Sequence, residues 1–437
     1  MVWSCPSRLA VTLCLASLLA ACGKGAVDTS KPAAVSPRQH DYAREIGALT
    51  GAIDGTMRQF TGQSDNVQMA VETATLYLDR ARLGGNYDDY RQAQALLDKV
   101  KNAASAAPMT CLTQARLHFA LHQLADAQAT LGACSATLDP IEGSALRADI
   151  AFYSGRYKDA ENTYRALVNQ VGHSSHYFRL AQYRARTGSP GEAAALLEAA
   201  EKRYHGVSAN TKAWLKVQRG LLAWERGRLD EALALYLLAS DELPGWWLID
   251  EQIAEVKRLN GDTAGAQALL EQIIARTGQP QHMDELARLL REGKTPDAAN
   301  AWIQRAQAVY RERLKTFPEA GVGHAVDHFL QFGTPAEALD LARRNARLRP
   351  FGDAQITLAA ALFRAGQAGE AAVLVGRVQE SGWDTAHLHA VAAQIYAGLG
   401  RRAEADAQRA QALAMNPHAM RLFLVSTPVQ PEIVSML

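Results

Sequence analysis

The chain has 437 residues, 48% of them apolar and 21% charged, so it can build a substantial core and is not disordered as a whole. Its formal charge is +1 and it has no basic runs, which excludes nucleic acid as an expected partner. Leu and Ala dominate while runs of β-branched residues are scarce, and this composition favours helix throughout.

The N-terminus has the pattern of a signal peptide, which we assign to residues 1–21. Arg8 is its only charge, and the apolar run that ends at Leu19 is too short to span a bilayer. The sequence Leu-Ala-Ala-Cys that ends at Cys22 resembles the box of bacterial lipoproteins. That resemblance implies that Cys22 is acylated, becomes the first mature residue and anchors the chain by lipid. The alternative is an ordinary signal peptide with an incidental cysteine.

The residues after Cys22 indicate where in the cell envelope the protein is located. Gly23 rather than Asp follows the cysteine, which in enteric lipoproteins implies onward sorting to the outer membrane. The same resemblance therefore implies a lipid-anchored envelope protein in the outer membrane, facing the periplasm. Residues 22–40 are small, polar and proline-containing, and we expect them to form a flexible periplasmic tether. Cleavage would remove one arginine and no acid, which brings the formal charge of the mature chain to zero.

A leading helix is predicted over residues 41–65. Asp41 is a suitable N-cap, and apolar residues recur at helical spacing from Tyr42 to Phe60. We expect this helix to cover the open end of the units that follow it.

The clearest single unit is a helical hairpin at Ala213–Pro244. Apolar stripes at helical spacing flank a polar turn, Gly227 is placed to end the first helix, and Pro244 is placed to stop the second. Gly220 and Ala232 are small residues at points where the two helices must cross closely. Such a hairpin cannot bury its apolar face alone, so its meaning depends on whether the pattern recurs.

The hairpin pattern recurs ten times along the chain. A small residue near the start of each second helix marks units that are 33 or 34 residues apart, with two wider spacings of 39. These residues are Ala93, Ala127, Ala160, Ala193, Ala232, Ala266, Ala299 (alternatively Ala298), Ala338, Ala371 and Ala405. In seven units a glycine lies five residues earlier and is expected to end the first helix in a left-handed conformation. The seven are Gly155, Gly188, Gly227, Gly261, Gly333, Gly366 and Gly400.

Hydroxyl residues followed by proline mark the start of some second helices. Ser189 and Thr334 each precede a proline, and each is followed three residues later by a glutamate, Glu192 and Glu337. This arrangement predicts a capping box at both helix starts.

These units resemble the tetratricopeptide repeat (TPR), a helix–turn–helix unit of about 34 residues. The resemblance implies an all-α, right-handed superhelical solenoid of about ten TPR-like helical hairpins, over residues 66–418. The two wider spacings predict longer connectors near His205–Asn210 and Phe317–Gly321. Residues 419–437 are too few for another hairpin and are predicted to form a C-terminal cap.

The sequence carries no recognisable motif for catalysis, metal binding or phosphate binding, so we expect neither an enzyme nor a cofactor. Two histidine pairs lie one helical turn apart, but neither has a third ligand nearby, so structural roles are favoured over metal binding. The pairs are His118/His122 and His324/His328, and a further pair, His387/His389, faces different sides of its helix.

Two cysteines outside the signal peptide and lipid box are candidates for a disulfide. Cys111 is predicted to open the first helix of its unit and Cys134 to close the second. Since those two ends are neighbours in a hairpin, the pair could form a disulfide in an oxidising compartment. Two separately buried thiols are the alternative.

A cluster of tryptophans in the middle of the array raises the question of a binding surface. Core packing is one interpretation. In the TPR family, however, first helices line a concave groove where peptides and partner helices dock, so the resemblance implies an aromatic groove beside a mixed-charge stretch. The candidates are Trp214, Val217, Leu221, Trp224, Phe152, Tyr153, Phe178, Arg186, Glu251, Glu255, Arg258, Asp284, Arg288 and Arg291.

The predicted function is a membrane-anchored periplasmic scaffold that binds an envelope protein or peptide segment in this groove and supports assembly or tethering of an envelope machine. The alternative is a periplasmic small-molecule or metal-binding accessory component of a transport system. A third interpretation, a glycan-degrading enzyme with Glu251 or Glu255 paired against Asp284, competes with the simpler one of solvated groove charges.

Overall fold

The computed structural model of this chain describes residues 41–62, 66–103, 106–134, 139–293 and 295–423. The predicted signal peptide, Cys22 and the tether lie outside the described residues, as does the tail after Phe423. Within the described ranges the chain forms 22 helices and no strand. None of these helices has the combination of length and apolar character needed to cross a membrane.

The helices are α1 (Tyr42–Gly62), α2 (Val67–Gly84), α3 (Tyr87–Val100), α4 (Ala106–Ala120), α5 (Leu124–Ala133), α6 (Pro140–Tyr153), α7 (Tyr157–Gln170), α8 (Ser174–Arg186), α9 (Pro190–Lys202), α10 (Ala209–Glu225), α11 (Leu229–Glu242), α12 (Trp247–Leu259), α13 (Thr263–Thr277), α14 (Pro280–Glu292), α15 (Pro296–Thr316), α16 (Pro318–Phe332), α17 (Pro335–Leu348), α18 (Gly352–Arg364), α19 (Ala368–Glu380), α20 (Ala386–Gly398), α21 (Arg402–Met415) and α22 (Ala419–Leu422).

Helices α2 to α21 form ten consecutive hairpins, each made of an even-numbered helix and the odd-numbered helix that follows it. Each hairpin packs on the next one along the chain, which confirms the predicted all-α array of TPR-like repeats. The leading helix α1 packs on α2, and the short helix α22 packs on α20 and α21. The hydrogen bond from the backbone N–H of Arg44 to Asp41 Oδ1 (2.8 Å) confirms the predicted N-cap of α1.

Small residues allow the two helices of each hairpin to approach closely. The ten aligned alanines all lie in second helices, and all are at most 6% exposed. In the seventh hairpin Ala299 is buried and Ala298 is exposed, which decides between the two alignments. In the fifth hairpin Gly220 lies against the ring of Tyr236, where a Cβ atom would overlap the ring.

Six of the seven predicted glycine caps have a positive φ, between 69° and 86°. The prediction for Gly333 is wrong, because this residue has φ −92° and ψ −170°. Here α16 continues to Phe332, the residue directly before the glycine, whereas each of the other six first helices ends two residues before its glycine. In the second hairpin the equivalent position is His122, the one described non-glycine residue with a positive φ (63°).

The two predicted capping boxes differ. Thr334 Oγ1 accepts a hydrogen bond from the backbone N–H of Glu337 (3.3 Å), as predicted for an N-cap. At Ser189 the side chain makes no cap hydrogen bond, so that prediction is wrong. The carboxylate of Glu192 instead forms an ion pair with Arg184 (Oε2 to Nε, 3.0 Å). This interaction is stronger than a hydrogen bond from the neutral backbone N–H of Ser189 would be.

The two wider spacings also have different origins. Residues 203–208 connect α9 to α10, close to the predicted longer connector. The longer connector predicted near Phe317–Gly321 is wrong, because α15 has 21 residues and α16 begins at Pro318. No glycine or proline interrupts residues 297–317, so the additional residues continue the helix.

The array is wound tightly enough for early hairpins to contact late ones. The end of a first helix meets the start of another hairpin five or six units further along the chain. The indole N–H groups of Trp246 and Trp247, at the start of α12, both donate to the carbonyl oxygen of Leu83 at the end of α2 (3.1 and 3.0 Å). We call these contacts between early and late hairpins the turn-stacking contacts.

The same relationship recurs along the array. The backbone N–H of Gly352, at the start of α18, donates to the hydroxyl of Tyr157 in the third hairpin (2.8 Å). The backbone N–H of Asp384, just before α20, donates to the carbonyl oxygen of Arg186 at the end of α8 (2.8 Å). Trp383 packs its ring on that of Tyr157, with centroids 5.5 Å apart. The apolar core is therefore shared between hairpins that are distant in sequence.

Candidate functional site

The structure buries nearly all of the residues predicted to line a docking groove. Thirteen of the fourteen candidates are less than a tenth exposed, and Arg291 alone among them is exposed. In this arrangement a protein partner could reach the thirteen only if the stacked hairpins separate. Docking at these residues therefore stays a prediction, and it requires a more open state.

The aromatic candidates act as packing elements in this arrangement. Trp214 contacts Phe178 and Trp246, with ring centroids 6.2 and 6.5 Å apart. Phe152 meets Tyr153 edge-on at 5.6 Å and Trp383, from the start of the tenth hairpin, at 5.7 Å. Pairs of this kind add to the stability that burial of the rings provides.

The charged candidates form a buried network on the first helices of the sixth and seventh hairpins. The guanidinium of Arg258 donates two hydrogen bonds to Glu255 (2.9 and 3.0 Å), and Arg288 donates a third to the same carboxylate (3.0 Å). Burial by itself would lower the pKa of Arg258, but the charge of Glu255 outweighs it and the pKa is raised. The carboxylate of Glu255 is thus committed to two arginines.

Asp284 is paired with a histidine from the next hairpin. Its Oδ1 atom is 2.7 Å from Nδ1 of His328, and the ring of Tyr310 lies 5.0 Å from that imidazole. Burial raises the pKa of the Asp284 carboxyl, while the hydrogen bond from His328 acts in the opposite direction. This pair joins the seventh hairpin to the eighth.

The histidine pairs singled out by spacing are not brought together as pairs of ligands. His118 contacts Gln123 through Nδ1 (2.8 Å), whereas His122 Nε2 lies 3.1 Å from a guanidinium nitrogen of Arg349. His389 is held between Asp384 (2.7 Å) and a glutamine. No cluster of three or more potential metal ligands occurs within the residues that the structure describes.

Cys111 and Cys134 lie at the two ends of the second hairpin, as their positions predicted. Their Cα atoms are 6.4 Å apart, and the structure pairs them as a disulfide. The bond would join the start of α4 to the residue that follows α5.

A cavity of about 330 Å³ lies where the fourth and fifth hairpins meet the ninth and tenth. The ends of α8 and α10 form one side of it, and the starts of α18 and α20 form the other. Asn416 closes the region beside it, because its side-chain amide donates to the backbone carbonyls of Trp224 and Glu225 (3.2 and 3.1 Å). A volume of this size is in the range of small-molecule sites.

Aromatic rings and aliphatic side chains line much of this cavity. The ring of Phe423 meets Trp224 edge-on, with centroids 6.4 Å apart, and lies 4.8 Å from the imidazole of His387. Leu221 and Met415 add aliphatic surface. Burial, with a smaller effect from the charge of Arg186, lowers the pKa of His387 to about 3, so this ring is neutral.

The polar part of the cavity contains an ion pair and a second carboxyl group. Arg186 donates two parallel hydrogen bonds to Glu225 (2.8 Å each), and its Nε atom is 4.0 Å from Asp353 Oδ2. That oxygen accepts no hydrogen bond from any described residue. Burial raises the pKa of Asp353 to about 6 even though Arg186 acts against this shift.

Sequence reasoning identified part of this cavity and missed the rest. Leu221, Trp224 and Arg186 were candidates because they lie on first helices. Asp353 and Phe423 were not, because they face the cavity from hairpins far along the chain. A spacing of about six repeats between residues is a signal that could have found them, but it requires knowledge of how tightly the array winds.

Comparison with known proteins finds only distant structural likenesses. No protein-family model matches this chain, and no curated protein matches it. Among solved structures, the human IFIT1 dimer with m7Gppp-AAAA shares 16% identity over 86% of this chain and 95% of that one, with a TM-score of 0.42. PilW, described as a widely conserved type IV pilus biogenesis factor, shares 16% identity over 49% of this chain and 99% of its own (TM-score 0.39). A tetratricopeptide repeat protein from Parabacteroides merdae shares 14% identity over 58% and 97%, with a TM-score of 0.39. These low values concern the arrangement of helical hairpins and carry no inference about function.

Proposed function

We propose that the protein is a lipid-anchored scaffold of the bacterial envelope that binds another envelope protein or a peptide segment. The observation that carries the proposal is the uninterrupted array of ten hairpins over the described residues. Stacked hairpins present long surfaces for protein partners and do not by themselves supply a reacting group. The charged inner residues do not offer a pair of free acids for catalysis, because Glu255 and Asp284 are already engaged by Arg258, Arg288 and His328.

The anchor rests on the sequence Leu-Ala-Ala-Cys that ends at Cys22. Acylation at this cysteine would hold the scaffold at the outer membrane on its periplasmic side, with residues 22–40 as the tether. Metabolic labelling with a palmitate analogue tests it. We expect the wild type to be labelled and to sediment with membranes, and Cys22→Ala to lose both properties. Cys14→Ala is the matched control, since it removes a cysteine from the same leader and should change neither. Equal labelling of the Cys22→Ala protein would remove the anchor from the proposal.

Partner binding is tested by crosslinking in native membranes followed by purification of the lipidated protein. We expect one envelope protein in stoichiometric amount, and its loss from the Cys22→Ala sample. Recovery of lipid and bulk membrane protein alone would contradict the scaffold role. The alternative role, a periplasmic accessory component that binds a small molecule, is favoured by one observation, the cavity between Trp224 and Asp353.

A further inference from the structure

We infer that the cavity between the stacked hairpins is a binding site for an organic cation, an ammonium group on a compact apolar body. The site does not depend on the proposed scaffold function, because it lies between hairpins of this chain alone. Three features of the cavity carry the inference, namely its lining, the carboxyl oxygen of Asp353 that accepts no hydrogen bond, and its balance of charge.

The apolar lining fits the body of such a ligand, and the rings fit its charge. Trp224, Phe423 and His387 place three rings around one end of the cavity. Electron-rich faces of tryptophan and phenylalanine attract ammonium groups, and several rings together are a common way of recognising them. An uncharged ligand would gain only the burial of its apolar surface from the same wall.

The carboxyl group of Asp353 supplies a specific partner for the ammonium N–H. Asp353 is 95% buried, and its Oδ2 atom accepts no hydrogen bond from the described residues. A buried acceptor that receives no hydrogen bond keeps a desolvation cost, which is larger for a charged group. A donor that carries a positive charge would remove this penalty and form a charge-assisted hydrogen bond.

The charge balance of the lining favours a cation over an anion. Three carboxyl groups border the cavity, those of Glu225, Asp353 and Asp384, against the two guanidinium groups of Arg186 and Arg226. The Nη atoms of Arg186 that an anionic ligand would need already donate to Glu225 at 2.8 Å. A carboxylate ligand that bound Arg186 would therefore have to displace this largely buried ion pair and lie close to Asp353.

The helix ends around the cavity do not reverse this preference. The starts of α18 and α20 carry partial positive charge, and the ends of α8 and α10 carry partial negative charge. Since ends of both signs face the same space, their effects offset one another. The side chains decide the sign of the ligand.

Three probes with a shared apolar body separate the possibilities in calorimetric titrations of the purified mature chain. Phenethylammonium carries the predicted charge, 2-phenylethanol is its neutral counterpart, and 3-phenylpropanoate carries the opposite charge. We expect phenethylammonium to bind about tenfold more tightly than 2-phenylethanol, a difference of about 1.4 kcal/mol, and 3-phenylpropanoate not to bind. Equal or tighter binding of the carboxylate, or no binding of the ammonium probe, would overturn the inference.

Variants place the binding in the cavity. Asp353→Asn should weaken phenethylammonium about tenfold and leave 2-phenylethanol unchanged, while Asp241→Asn, an exposed acid on α11, should change neither. Phe423→Leu keeps an apolar side chain beside Trp224 but removes a ring, so it should weaken the ammonium probe several-fold more than the alcohol. If circular dichroism shows that Asp353→Asn does not fold, the Phe423→Leu variant provides the test. Unchanged ammonium binding in a folded variant of either kind would show that the site is elsewhere.

Discussion

The hydroxyl of Tyr157 accepts a hydrogen bond of 2.8 Å from the backbone N–H of Gly352, 195 residues further along the chain. Tyr157 is 7% exposed and begins α7, whereas Gly352 begins α18. The bond satisfies one of the N–H groups that the first turn of a helix leaves without a partner. Two hairpins that are remote in sequence therefore complete each other's hydrogen bonding.

Removal of this hydroxyl tests the turn-stacking contacts. Tyr157→Phe should lower the free energy of unfolding by about 1–3 kcal/mol, because it leaves the buried N–H of Gly352 without an acceptor and keeps the ring. Chemical denaturation followed by circular dichroism measures the change. Tyr177→Phe, at a partly exposed tyrosine on α8, is the control and should change stability by less. Equal effects of the two substitutions would contradict the stacked arrangement.

A pair of glycines separates backbone strain from the close approach of hairpins. Gly155 and Gly366 both have positive φ (74° and 80°), so alanine is strained at either position. A Cβ atom on Gly155 would lie 3.0 Å from the carbonyl oxygen of Pro350, while one on Gly366 would meet nothing within 4 Å. Gly155→Ala should therefore lower the melting temperature more than Gly366→Ala. Thermal unfolding of the two variants side by side provides the measurement, and equal shifts would mean that Pro350 does not approach this turn.

The pairing of Cys111 with Cys134 predicts a dependence of stability on oxidation. The two cysteines are 23 residues apart, and closing a loop of that size stabilises a fold by about 3 kcal/mol in the chain-entropy description. Reductant should lower the midpoint of denaturation of the wild type and leave a Cys111→Ser/Cys134→Ser variant unchanged. Thiol titration of denatured, non-reduced protein gives an independent measurement, and two reactive thiols from this pair would contradict the bond.

Acid should destabilise the fold through histidines whose pKa is lowered by burial, among them the half-buried His324 on α16. Burial, followed by the charges of Arg313 and Arg349, lowers its pKa to about 4, whereas an unfolded histidine has a pKa near 6.5. Between these values the unfolded state binds the additional proton, so the free energy of unfolding falls as the pH falls from about 6.5 to 4. His324→Gln should reduce that fall by about 3 kcal/mol, because each pKa unit corresponds to about 1.4 kcal/mol. His205→Gln, at an exposed histidine, is the control, and denaturation curves at pH 7 and pH 4 give the comparison.

The repeat pattern could be predicted because its signals are local. An alanine at a fixed position, a glycine five residues earlier and a polar turn between apolar stripes all lie within one hairpin, and such patterns report directly on helix crossing and helix ends. The prediction of a longer connector near Phe317–Gly321 was wrong, because a wider spacing does not show whether the additional residues form a loop or lengthen a helix. The prediction for Gly333 was wrong because α16 continues to the residue directly before this glycine, one residue further than the other first helices reach.

The environment of the candidate site was harder to predict, since a charged side chain looks the same in sequence whether it is solvated or paired. Glu255 and Arg288 are 33 residues apart, and Arg186 and Glu225 are 39 apart, so each ion pair joins equivalent regions of adjacent repeats. Opposite charges at one-repeat spacing are thus a usable signal for a buried network. The proximity of Arg186 to Asp353 had no such signal, because the two residues come from different turns of the array.

The turn-stacking contacts also impose an order in time on the growing chain. Repeat arrays usually gain stability from neighbours alone, so early units can be complete before late ones exist. Here the Tyr157 hydroxyl cannot meet its donor until a residue 195 positions later has emerged into the same compartment. Until then Tyr157 also lacks the ring of Trp383, against which it packs in the finished array. Closure of the inner surface is therefore among the last events of folding.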